Sequence, residues 1–119
     1  MVAMTTSMST DQLPTPVRTY LAAQGTRDTA TALPLFAPDA VVTDQGETFT
    51  GTDALRDFLD HAGAEFTYTT TITGARRDDD GTWVATQRLE GDFPGGVAEL
   101  DLRFVLEGDR ITRLDYVPA

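Results

Sequence analysis

The sequence predicts an α+β domain in which N-terminal helices close over a strongly curved, mainly antiparallel sheet around one apolar pocket. Three observations lead there. The first third carries apolar residues at helical spacing, from Glu65 onward the period switches to two, and Asp80-Gly81, Pro94-Gly95-Gly96 and Gly108-Asp109 divide that second part with turn signals. Helices first and a strand meander afterwards mean helices packed on one face of an antiparallel sheet.

Taken in order, residues 1–12 read as a disordered lead-in and 13–119 as a single domain. A first helix starts at Thr15, which can cap it, with Pro16 in the first turn where a missing N–H costs nothing. Leu13, Val17, Tyr20, Leu21 and Gln24 share one face of it, and Gly25 ends it. A second helix begins near Asp28 and turns Ala32, Leu33 and Phe36 inward; Pro34 kinks or shortens it. Ala40–Thr43 form a β-branched strand, and Gln45–Thr50 a turn with a second short strand. Gly51 and Thr52 introduce a third helix that buries Leu55, Phe58, Leu59 and Ala62 and stops at Gly63.

The remaining chain alternates. Phe66, Tyr68, Thr70 and Ile72 face one side of a strand, and Trp83, Ala85, Gln87 and Leu89 one side of the next. Leu100, Leu102, Phe104 and Leu106 give the clearest amphipathic strand, and Ile111, Leu114 and Tyr116 mark a last one. The outer face then carries Val84, Thr86, Arg88, Asp101, Arg103 and Val105.

Composition narrows the functional classes. With 119 residues the chain builds one core. It has no cysteine and a single histidine, His61, which removes thiolate chemistry and the multi-histidine sites of zinc or iron; no cofactor or metal is expected. A net charge of −10, with every basic residue an arginine, argues against nucleic acid and anionic membrane as partners. Asp78-Asp79-Asp80-Gly81 reads as a solvated hairpin tip. MVAMTTSMST lacks the basic start and apolar run of a signal peptide, and no segment approaches membrane-spanning length, so a cytoplasmic location is expected.

The stretch VRTYLAAQGTRDTATALPLFAPDAVVTDQG, the glycine-led helix GTDALRDFL and the closing LRFVLEGDRITRLDYV resemble the nuclear transport factor 2-like superfamily, within it the ketosteroid isomerase and polyketide cyclase (SnoaL-like) branch. The resemblance implies a cone-shaped α+β barrel. It also implies a tyrosine on the first helix that donates to a substrate oxyanion and an aspartate after the first strand that shuttles a proton; without a gap these fall on Tyr20 and Asp44. A second oxyanion donor of that branch falls on Leu100, with Glu99 and Asp101 turned away by alternation.

Each candidate has a structural reading beside the functional one. Asp44 is a base at the end of an apolar strand, or a turn cap before Gly46. Tyr20 donates into the pocket, or satisfies its hydroxyl on the backbone or a buried water. His61, at the end of the third helix, moves protons or sits exposed at a helix C-terminus. Phe36, Phe58, Phe66, Tyr68, Trp83, Leu100 and Tyr116 line a ligand site or fill the core. Gln87, and more weakly Thr70, are inward polar groups that need partners.

The expectation is a cofactor-independent isomerase, cyclase or dehydratase. It would act on a small, largely apolar carbonyl or cyclic molecule and work as a homodimer paired through the outer sheet face. The alternative is a non-catalytic small-ligand-binding or dimeric assembly module of the same fold.

Overall fold

The computed structural model describes residues 6–119. Its elements run β1 Thr6–Met8, α1 Thr15–Gly25, α2 Thr29–Ala32, β2 Phe36–Asp44, β3 Glu47–Thr50, α3 Thr52–His61, β4 Tyr68–Arg77, β5 Trp83–Gly91, β6 Val97–Glu107 and β7 Arg110–Pro118, with 3-10 turns at Thr10–Gln12 and Leu33–Leu35. The seven strands form one sheet in the order β1-β4-β5-β6-β7-β2-β3. Every pairing is antiparallel except β2 with β7. The sheet has two edges, so the cone is open along one side.

Local chemistry sets the boundaries. Pro16 occupies the first turn of α1, although Pro14, not Thr15, stands at the cap. Asp28 caps α2 by accepting from the Thr31 N–H at 3.2 Å. Pro34 ends that helix after one turn, because proline supplies no N–H and its ring meets the preceding turn. Phe36 consequently opens β2 rather than closing α2. Gln45 and Gly46, both left-handed at φ 52° and 81°, make the two-residue turn that hands β2 to β3.

Curvature comes from irregular register, between Ile72 and Gly74 on β4, Val105 and Leu106 on β6, and Phe36 and Val41 on β2. The three helices lie against the concave face. There Leu13, Val17, Tyr20, Val42, Leu55, Leu102, Phe104, Ile111 and Leu114 are buried as one core. Tyr20 is wedged edge-on between Phe36 and Phe104, with ring centroids 5.6 and 5.7 Å away. The core occupies one half of the concavity; the other half stays open.

Several expectations are corrected. Residues 6–12 of the expected lead-in are structured: β1 pairs with β4, and a 3-10 turn follows. Residues 1–5 lie outside the described residues. Asp78 is not a free hairpin-tip charge, since its two oxygens each take an arginine at 3.0 Å, Arg76 and Arg103. Val84 lies between those arginines in the ladder and is 0% exposed, so the outer face has a buried centre under an ionic cover. Trp83 is only half-buried and lies beneath the Arg77 guanidinium, 4.5 Å from its ring centroid. Among the described residues no helix is long and apolar enough to cross a membrane.

Candidate functional site

The open half of the concavity is a cavity of about 630 Å³. The C-terminal part of α1 supplies Tyr20 and Gln24, the end of β2 Asp44, and α3 Phe58 and His61. The sheet supplies Tyr68, Thr70, Gln87, Leu100 and Tyr116. Its mouth is braced by contacts between helix ends. Arg27 donates to the Ala62 carbonyl at 2.6 Å and Thr29 to Asp60 at 2.6 Å, so α1, α2 and α3 are tied together at the rim.

The aromatic wall forms in two groups. Phe58 stacks against Phe49 and Tyr116, with centroids at 4.9 and 5.7 Å. Phe66 and Tyr68 meet Phe93 at 6.0 and 6.4 Å. Phe49 and Phe93 escaped sequence reading because a four-residue strand and a Pro-Gly-Gly turn carry no usable periodicity.

Polar groups thread the back of the cavity. The Tyr20 and Tyr116 hydroxyls are 2.5 Å apart, Tyr116 donates to Gln24 Oε1 at 3.2 Å, and Gln24 Nε2 donates to Gln87 Oε1 at 2.7 Å. Burial holds both phenols well above the ordinary tyrosine range, so both stay protonated. Tyr20 therefore spends its hydroxyl on Tyr116, and among the described residues it makes no hydrogen bond to Asp44.

Asp44 stands at the cavity edge, the Cα partner of Tyr116 on one side and of Glu47 on the other. Its carboxyl takes no hydrogen bond from the turn before Gly46, which removes the capping reading. Burial first, and then the negative charge of Glu47, raise its affinity for a proton above that of an ordinary aspartate. A half-buried carboxylate that takes no hydrogen bond among the described residues can abstract a proton from a weakly acidic carbon.

A family model for the SnoaL-like domain matches residues 17–114. The chain belongs to that family. Among solved structures, a candidate polyketide cyclase of Sinorhizobium meliloti is 29% identical, with 92% of this chain and 99% of that one covered and a TM-score of 0.82. A protein of Sphaerobacter thermophilus is 26% identical over 87% and 93%, with a TM-score of 0.73. At 22% identity, a Catenulispora acidiphila protein of ketosteroid isomerase-like fold, solved with trimethylamine, shares the fold over 91% and 88% with a TM-score of 0.75. Among curated proteins nothing matches the chain.

Within this SnoaL-like domain the cavity gathers most of the sequence candidates: Tyr20, Asp44, His61, Phe58, Phe66, Tyr68, Gln87, Leu100, Tyr116 and Thr70 all line it. Phe36 and Trp83 do not. Phe36 is spent in the core against Tyr20, and Trp83 lies at the far end of β5 from Gln87. His61 reaches only the mouth, with its side chain 71% exposed and its Nδ1 3.0 Å from the Asp57 carbonyl and 3.1 Å from the Asp57 carboxylate. Glu99 and Asp101 flank Leu100 on the outer face, where Asp101 accepts from Thr86 at 2.6 Å and Arg76 at 3.3 Å. Among the described residues no three His, Cys, Asp or Glu side chains converge to hold a metal.

Proposed function

We propose that this SnoaL-like domain is a cofactor-independent acid–base enzyme of the isomerase, cyclase or dehydratase type, acting on a small, largely apolar carbonyl or cyclic substrate. One observation carries the reading: Asp44, a carboxyl with raised proton affinity, sits unbonded at the edge of an aromatic cavity large enough for a molecule of two or three fused rings.

In this reading Asp44 takes a proton from the carbon beside a carbonyl and returns it elsewhere on the same molecule. The aromatic groups around Phe58 and Phe93 hold the ring system and keep water from the reacting carbon. Tyr20 acts through Tyr116 rather than on the substrate. His61 stays at the mouth. A positioned base contributes about 10²–10⁴-fold, enough for a modest enzyme without a metal. The protein works as a homodimer paired through its outer sheet face, where Val97 and Val105 are exposed.

The test is deuterium uptake from heavy water into small cyclic ketones and enones at the carbon beside the carbonyl. Wild-type protein catalyses it, and Asp44→Asn lowers the rate at least about 100-fold. Equal rates for the two proteins would end the acid–base reading. The rival, a non-catalytic ligand-binding module, is favoured by one observation: the Tyr20 hydroxyl is committed to Tyr116 instead of open to a ligand. Tight binding of cyclic ketones without any exchange would decide for it.

A further inference from the structure

The hydrogen-bond chain at the back of the cavity has a direction, and the direction determines what its last member offers. Tyr20 is 1% exposed, and the only partner of its hydroxyl among the described residues is Tyr116. Were Tyr116 to donate to Tyr20, the Tyr20 proton would be buried with no acceptor among the described residues, which costs more than an ordinary hydrogen bond returns. Tyr20 must therefore donate. Tyr116, having one proton, passes it to Gln24, which presents Oε1. The Gln24 amide is thereby oriented, and its Nε2 donates to Gln87 Oε1. Gln87 is left with its NH₂ as the free end.

That end points into the cavity. Gln87 is 3% exposed and lines the cavity wall. Its Nε2 makes no hydrogen bond among the described residues, yet no buried side-chain nitrogen or oxygen is without a partner, so this nitrogen opens onto the cavity space. Its ladder partner on β6 is Leu100, which offers no polar atom. Tyr68 and Thr70 also bring hydroxyls to this wall, but Gln87 is the donor whose orientation is fixed from behind by a hydrogen-bond chain.

We propose that Gln87 Nε2 binds the carbonyl oxygen of the ligand, and that the chain Tyr20–Tyr116–Gln24 locks it as a donor. The inference rests on the cavity being the substrate site and specifies the ligand as one that presents a hydrogen-bond acceptor at its inner end. The same two N–H groups oppose the negative charge that gathers on that oxygen when the neighbouring carbon loses its proton.

The probe is 1-tetralone, with tetralin as the matched hydrocarbon. In wild-type protein the infrared carbonyl stretch of bound 1-tetralone lies below its value in an apolar solvent. In Gln87→Leu that lowering disappears and 1-tetralone binds about tenfold more weakly, while tetralin binds as before or better. Gln87→Glu guards against a folding defect: it keeps the shape and the acceptance from Gln24, loses the lowering as its carboxyl ionises and regains it on acidification. Asp44→Asn retains the lowering although proton exchange is gone, so this inference and the acid–base reading fail separately. The proposal is overturned by a carbonyl stretch lowered equally in wild type and Gln87→Leu. It is overturned too if the two ligands lose affinity together, or if wild-type protein does not bind 1-tetralone.

Discussion

The hydroxyls of Tyr20 and Tyr116, 96 residues apart in the chain, meet at 2.5 Å between α1 and β7. Because Tyr20 has no other partner among the described residues and Tyr116 has Gln24, the two phenols are not equivalent. Tyr20→Phe removes a donor and leaves Tyr116 bonded to Gln24, a loss of about 0.5–1.5 kcal/mol. Tyr116→Phe strands the buried Tyr20 proton and costs about 1–3 kcal/mol. The double variant costs less than the two losses together, since the stranded group is gone. Urea unfolding of the three proteins measures this, and a Tyr20→Phe loss exceeding that of Tyr116→Phe would reverse the assigned direction.

Asp44 makes the folded state weaker at neutral pH. Its folded proton affinity is raised by burial and by Glu47, so the native state holds the proton to a higher pH than the unfolded chain does. Stability contributed by Asp44 is therefore greatest below the unfolded value of about 3.9 and falls as pH rises through the higher folded value. Asp44→Asn should raise the melting temperature at pH 7, with the gain closing below about pH 4. Proton exchange by wild-type protein should rise with pH through the same folded value. A melting temperature at pH 7 that is unchanged or lowered in Asp44→Asn would mean that the carboxylate is stabilised by something other than solvent.

The fold was legible where periodicity is long. The period-two run from Leu100 to Leu106 marks β6, and the face from Leu13 to Tyr20 marks α1, because each buries a continuous apolar stripe. Asp44 was legible as a position but not as an environment: the absence of a capping bond and the approach of Glu47 depend on the left-handed turn at Gln45 and Gly46. Tyr20 was legible as a buried donor, while the identity of its acceptor depends on a strand 96 residues away. Trp83 fell out of the cavity because strict alternation says which face a residue takes, not which end of a curved sheet holds the open space. β1 has three residues, too few for any pattern to register.

Gly91 fixes where the cavity wall begins. It pairs with Tyr68, and a Cβ at position 91 would stand 2.3 Å from the Thr67 carbonyl oxygen and 2.5 Å from the Tyr68 Cβ. Those atoms belong to β4 and the residue before it, so relief requires backbone movement. Gly91→Ala should cost about 1–3 kcal/mol and displace the Tyr68 ring from Phe93. Fluorescence-monitored unfolding gives the first quantity, and the ring-proton chemical shifts of Tyr68 report the second. Unchanged stability would show that the start of β4 can slide away from β5 without loss.

His61 marks the difference between lining a cavity and working in it. Its ring is mostly exposed and turned onto Asp57 of its own helix. His61→Ala should therefore leave the exchange rate at saturating ketone within about twofold, far short of the 10²-fold effect of a working base. A hundredfold fall would instead require the imidazole to swing inward when ligand binds, making it the second proton carrier.

The outer face supplies the last expectation. Its centre is closed by the arginines on Asp78, but Val97 and Val105 remain 47% and 40% exposed at either end of β6. Paired ionic groups at the centre, with apolar residues beside them, make a surface whose desolvation by a second copy is tolerable, because the charges already hold partners. A homodimer through this face predicts a solution mass twice the 12.9 kDa of the chain. Val105→Glu places an unpaired charge in that contact and should shift the protein to the monomer without altering its circular dichroism. The cavity opens on the concave side, so proton exchange by the monomeric variant should continue, within the loss of stability that dissociation brings. A dimer unaffected by Val105→Glu would place the contact elsewhere, and a wild-type monomer would remove the pairing altogether.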